Sequence, residues 1–172
     1  MASREEDLEV RLDDNFLTFE QDHNVLKDDL ELLVDGCFKD KWLRNAGGYL
    51  FSYGFFVIRL LDGSELYDKA RAALSSGTMG QDGLEELLIA DSVFLAERRS
   101  DGSAAYLICE VASRLRADDV RRASIGASAA SLLDGAPGVA IAAGASIDDI
   151  AAALAEREAV TVVIPQSWRK SA

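Results

Sequence analysis

Residues 89–123 read IADSVFLAERRSDGSAAYLICEVASRLRADDVRRA. Val93–Glu97 and Ala105–Val111 are short runs rich in apolar residues, and Ser100-Asp101-Gly102-Ser103 between them has the composition of a tight turn. That pattern predicts an antiparallel hairpin. Asp118-Asp119 then open a helix running to Leu133, with acids in the first turn where they suit the helix dipole. Asp91 stands at the start of the first strand and Glu110 near the end of the second. An antiparallel hairpin brings those two ends together, so two carboxylates are expected on neighbouring strands of one sheet.

Downstream, Gly135 and Pro137 end the helix, whose small residues from Ala123 to Ala130 permit close packing on a sheet. Gly138–Ala142 reads as a strand, Asp148–Glu156 as a short helix, and Val160–Ile164 as a last strand. Upstream, Phe55–Leu61 is an apolar run of strand length. Asp62-Gly63 turns the chain, Ser64 reads as the N-cap of a helix through Leu74, SSGTMGQDG as a loop, and Leu84–Ala90 as a helical turn or two. The expected order is α-β-α-β-β-α-β-α-β, an α/β domain of two or three layers with a mixed sheet.

A long helix precedes this domain, from about Arg4 to Asn45, with the Gly47-Gly48 pair expected to end it. Its apolar residues follow a heptad. Phe16, His23, Leu30 and Cys37 fall at a, and Leu12, Phe19, Leu26 and Leu33 at d. Such a narrow stripe on an acidic helix needs a partner helix. In a parallel homodimer Asp22 meets Lys27 of the other chain, which favours that pairing. His23 reads either as a polar residue fixing register at the seam or as one half exposed beside it. The expected organisation is therefore a coiled-coil helix over 1–45, a homodimer seam over 12–37, and a mixed-sheet domain over 46–172.

The net charge of −12 disfavours non-specific binding to a phosphate backbone. Residues 1–45 carry thirteen acids against six bases, whereas Arg98, Arg99, Arg114, Arg116, Arg121 and Arg122 cluster near the two acids. Those arginines read either as a local basic face or as ordinary solubilising charge. Cys37 and Cys109 lie far apart and outside any CxxC, so neither a disulfide framework nor a structural zinc site is expected, and a cytoplasmic setting is. No apolar run reaches membrane-spanning length, and the charged MASREEDLEV is unlike a secretory signal. Cys109, Trp42 and Trp168 read as core or edge-closing residues. No GxGxxG or GxSxG occurs.

Asp91 and Glu110 are the candidate metal ligands. Hard cations such as Mg²⁺ or Mn²⁺ take carboxylate oxygens and keep several waters. A metal held there would activate water and neutralise developing charge on a phosphoryl group. Arg121 and Arg122, in the first turns of the following helix, are placed to meet phosphate, and Glu31 would approach if the long helix packs on the sheet. The competing reading makes Asp91 a junction residue and Glu110 the partner of Arg122 in a partly buried ion pair.

Four segments carry a resemblance: Leu26-Lys27-Asp28-Asp29-Leu30-Glu31, Ile89-Ala90-Asp91-Ser92-Val93, Tyr106-Leu107-Ile108-Cys109-Glu110-Val111, and Asp119-Val120-Arg121-Arg122-Ala123. In order and spacing they resemble the PD-(D/E)XK nuclease superfamily, and more narrowly an uncharacterised bacterial family in it with an N-terminal coiled coil. The likeness covers most of residues 8–164. It implies a restriction-endonuclease-like fold, metal-binding roles for Asp91 and Glu110, and nucleic acid as substrate. The superfamily's Glu-x-Lys is here Glu110-Val111-Ala112. Alanine cannot position a water or donate to a phosphate, and Ser113 points to the opposite face. Arg122 or Arg121 is then the expected replacement, able to stabilise charge but not to act as a base. Two functions follow as expectations. One is a divalent-metal-dependent nuclease acting on DNA or RNA. The other is a non-catalytic dimerising or regulatory module on a nuclease-like fold.

Overall fold

The computed structural model describes the backbone of residues 2–171 and the side chains of 26, 27 and 29–168. The described chain divides into two compact units, residues 1–36 and 37–172. The first is helical, being the N-terminal part of α1 (Ala2–Phe51). The second holds the rest of α1 and all that follows.

Helix α1 runs six residues beyond Asn45. Gly47 and Gly48 stay helical, and the turn comes at Gly54, whose φ of +93° suits a residue without a Cβ. Strand β1 (Phe55–Leu60) follows, then α2 (Gly63–Ser75). The cap of α2 is Asp62 rather than Ser64. One Asp62 carboxylate oxygen accepts the backbone N–H of Ser64 at 2.8 Å and of Glu65 at 2.9 Å, and the Ser64 hydroxyl donates to the same oxygen. A further helix, α3 (Gln81–Ile89), begins within the stretch that reads as a loop. Strands β2 (Ser92–Arg98) and β3 (Ala104–Leu115) form the expected hairpin. Helix α4 (Ala117–Ala130), β4 (Gly138–Ile147), α5 (Asp149–Arg157), β5 (Thr161–Val163) and a 3₁₀ turn (Gln166–Ser171) complete the chain. The order thus gains one helix between β1 and β2.

The five strands lie in the order β1-β2-β3-β4-β5. The first three pair antiparallel, and β3, β4 and β5 pair parallel. The sheet is mixed: a hairpin joins β2 to β3, α2 and α3 connect the antiparallel neighbours β1 and β2, and α4 and α5 carry the parallel crossovers. Alternation along β3 sends side chains to two cores. Tyr106, Ile108 and Ala112 enter one with α2–α5, including Leu66, Leu87, Val120 and Leu154. Ala105, Leu107, Cys109 and Val111 enter the other with Trp42, Ala46 and Leu50 of α1 and with Trp168. The domain therefore has three layers, and both tryptophans are core residues. Burial also pushes the Cys109 thiol well above its ordinary pKa, because a thiolate there would lose its hydration.

The small residues of α4 set its closeness to the sheet. A Cβ at Gly126 would come within 2.9 Å of Ile108 Cγ2, and one at Gly138 would fall inside the Ala127 carbonyl group. These contacts fix α4 on β3 and place its first turns, with Arg121 and Arg122, beside the strand that carries Glu110.

Candidate functional site

Ser92 pairs with Cys109 in the hairpin register, so Asp91 and Glu110 come at the next step of the same ladder. Asp91 lies just before β2, and one of its oxygens, Oδ2, accepts the backbone N–H of Val111 at 2.7 Å. That bond ties the acid to the residue after Glu110. Its other oxygen, Oδ1, is 2.6 Å from Lys39 Nζ. The Asp91 side chain is 14% exposed and that of Lys39 45% exposed, so the pair opens to solvent on the lysine side. Next to Asp91, Ser92 turns the other way and accepts the indole N–H of Trp42 at 3.1 Å, a buried bond between β2 and the described second-unit part of α1. Trp42 and Lys39 stand three residues apart on α1, one turn of one helix face. The buried indole therefore anchors the turn that delivers the ammonium.

Glu110 is 2% exposed on its side chain. Its Oε2 is 2.8 Å from Arg122 Nη2, and its Oε1 is buried with no hydrogen-bond partner. Arg122 Nη2 also donates to Asp119 Oδ1 at 2.9 Å, while Asp119 Oδ2 accepts the backbone N–H of Arg116 at the start of α4. Asp119 thus caps the helix and steadies the arginine. Burial, and next the negative charge of Asp91, push the Glu110 carboxyl up to about 7, against the opposing pull of Arg122. That response to Asp91 puts the two carboxylates within electrostatic reach of each other.

Of the four candidates, Asp91, Glu110 and Arg122 come together. Arg121 faces away, paired with Asp118 at 2.7 Å in an exposed i,i+3 contact. Lys39 is the participant that the sequence reading missed. It lies in the part of α1 just past the heptad stripe, and nothing in its neighbours Phe38 and Asp40 marks it. The available signal was indirect: a hairpin with two acids and no lysine should prompt a search for a cation on another element.

The donor set suits a hard divalent cation in one respect and limits it in another. The unpartnered Glu110 Oε1 is a buried oxygen that lacks a donor, and hard oxygen donors are what Mg²⁺ or Mn²⁺ prefers. Among the described residues no cluster of three or more His, Cys, Asp or Glu side chains could hold a metal. A metal here would be bound by Asp91 and Glu110 and otherwise by water and backbone oxygen.

No protein-family model matches the sequence, and no curated protein matches it. Among solved structures, one described as the structure of EndoMS in apo form is similar at 20% identity with a TM-score of 0.35. The match covers 43% of this chain and 31% of that chain, so it spans under a third of that structure's length. A likeness of that extent establishes neither fold nor activity. Among the described residues, no helix is long and apolar enough to cross a membrane.

Proposed function

We propose that the chain is a divalent-metal-dependent phosphodiesterase acting on nucleic acid, with Asp91 and Glu110 as metal ligands and Lys39 in place of the lysine missing after Glu110. The observation that carries this reading is the meeting of Asp91, Glu110 and Lys39 at one end of the β2–β3 hairpin, with one Glu110 oxygen buried and unpartnered. A bound Mg²⁺ would supply positive charge and a more acidic water. The chain's own residues do the rest. Asp91 is held by the Val111 N–H, which fixes the direction of its free lone pairs. Lys39 gives one N–H to Asp91 and keeps two for a non-bridging phosphoryl oxygen. Arg122 keeps Glu110 Oε2 in place at 2.8 Å, leaving Oε1 free. Hydrolysis then forms a bond from the water oxygen to phosphorus and breaks a phosphorus–ester bond, and the departing alcohol takes up a proton.

The same reading includes a homodimer through residues 12–37. Leu26, Leu30 and Leu33 of the stripe are solvent-facing, while the side chains of Leu12, Phe16, Phe19 and His23 lie outside the described residues. A dimer would set two sites on one duplex.

One observation favours the non-catalytic alternative. Asp91 and Glu110 already have cationic partners, Lys39 and Arg122, and such a network also serves as plain structure. The test is a calorimetric titration with Mn²⁺, followed by cleavage assays on single- and double-stranded DNA and RNA. Wild type is expected to bind and to cleave, with both lost in Asp91→Ala and Glu110→Ala. Unchanged binding in both variants would move the metal elsewhere. Metal-independent inertness toward every substrate would leave the interaction module.

A further inference from the structure

A second polar site stands apart from the carboxylates. A cavity of about 320 Å³ lies where β4 begins, bounded by the last turns of α4 and the loop after α5. Its walls include Arg98, Ser128, Val139, Ala140, Glu158 and Ala159, and none of Asp91, Glu110, Lys39 or Arg122. The volume is at the lower end of the range for small-molecule sites, roughly 300–1,000 Å³.

Arg98 is the first reason to expect a ligand. The Nε of its guanidinium is buried without a hydrogen-bond partner, although its charge is felt by the exposed Asp101 carboxylate. A guanidinium keeps its charge, and a buried N–H without an acceptor is costly. Glu158 is the second. It lines the same cavity yet does not pair with Arg98. Its Oε1 lies a long 3.4 Å from Nη2 of its exposed neighbour Arg157. Two opposite charges therefore face one space without touching.

The hydroxyls complete the pattern. Ser128 spends its hydrogen on the Ser124 carbonyl at 3.0 Å, so it offers lone pairs only. Ser131 donates to the Ala127 carbonyl and accepts the Gly138 N–H. The cavity thus presents donors at Arg98 and acceptors at Glu158 and Ser128. A simple anion would meet Glu158, and a simple cation would meet Arg98. A molecule carrying both charges satisfies both walls.

We propose that this cavity binds a small zwitterion, an α-amino acid with a short apolar side chain. Its carboxylate lies on Arg98, its ammonium on Glu158 and Ser128, and its side chain against Ala140 and Ala159. The planar guanidinium suits a carboxylate through two parallel hydrogen bonds. The proposal is independent of the reading of Asp91 and Glu110.

The test uses the full chain and three probes in calorimetry at millimolar concentration: L-alanine, acetate and methylammonium. L-Alanine is expected to bind saturably, with acetate and methylammonium each weaker by about tenfold or more, since each leaves one charge of the site unpaired. Arg98→Gln and Glu158→Gln should each weaken L-alanine by about tenfold or more. Glu158 is partly exposed, so its variant serves even where Arg98→Gln lowers folding stability. Acetate binding as well as L-alanine, with Glu158→Gln unchanged, would reduce the site to an anion pocket and overturn the proposal. No saturable binding of L-alanine to wild type would overturn it too, leaving the cavity to water.

Discussion

Burial of Glu110 makes one carboxylate a liability to folding at neutral pH. An unfolded glutamate ionises near 4.5, while in the folded chain burial and Asp91 push the group up to about 7. Below pH 4.5 both states are protonated and nothing is lost. Above it, the folded state holds a proton that the unfolded state has released, so stability falls as pH rises toward 7. The full loss is on the order of 3 kcal/mol. Glu110→Gln keeps the shape and removes the charge. It should therefore unfold at a higher temperature than wild type at pH 8 and at the same temperature at pH 4, read by circular dichroism. Equal melting at pH 8 would mean that Arg122 already offsets the burial. Lys39 makes the complementary case. Lys39→Met should retain Mn²⁺ binding or tighten it, because a cation leaves Asp91. It should also slow cleavage by about 10²–10³-fold, the usual cost of one lost donor at a developing negative charge. Loss of metal binding in that variant would assign Lys39 to holding Asp91 in place and nothing more. The two acids were legible in the sequence because a hairpin joins them locally. Lys39 was not, because its approach depends on how Trp42 seats α1 on Ser92, a contact between residues remote in sequence.

Elements were legible where the signal was local and blurred where packing decided. The β2–β3 hairpin and the acid-rich start of α4 follow from turn residues and charges near one another. The expected end of α1 at Gly47-Gly48 was overridden. Trp42, Ala46 and Leu50, spaced four residues apart, bury one continuous face, and that burial carries the helix through two glycines to Phe51. Helix α3 was legible over Leu84–Ile89, where helical turns were expected, but its first turn from Gln81 hid in a polar stretch because Leu84 and Leu87 are its main buried apolar residues. The three central strands ran longer than their apolar runs, as where β3 extends past Val111 to Leu115, paired with β4 as far as Ile147. The seat of α4 yields a stability prediction. Gly126→Ala would press a methyl into Ile108 Cγ2, where α4 crosses β3. Overpacking of this kind costs about 1–3 kcal/mol. Gly36→Ala, where a Cβ meets nothing within 4 Å, should be neutral or stabilising in a helix. Urea denaturation of both variants separates the effects. A Gly126→Ala variant as stable as wild type would show that α4 has room to shift.

At the scale of the molecule the charge budget and the apolar stripe bear on each other. A chain of net charge −12 repels a polyanion, so a nucleic-acid substrate needs a reason to stay. Two sites in one dimer would provide that through joint engagement of one duplex, since a second contact becomes intramolecular once the first is made. The stripe is the means. Leu26 and Leu33, both at d, and Leu30, at a, are each at least 61% exposed in the single chain, a stripe that a partner helix would cover. Light scattering on the wild type should return twice the 18.6 kDa chain mass. Leu26→Glu places a charge in the seam and should return the single-chain mass, with Mn²⁺ binding intact because Asp91 and Glu110 belong to the other unit. Duplex cleavage should then fall more than single-strand cleavage, as joint engagement is lost while each site survives. A wild type of single-chain mass would end the dimer proposal, and with it this account of how an acidic chain holds a nucleic acid. Equal loss on both substrates would instead tie the seam to the integrity of each site.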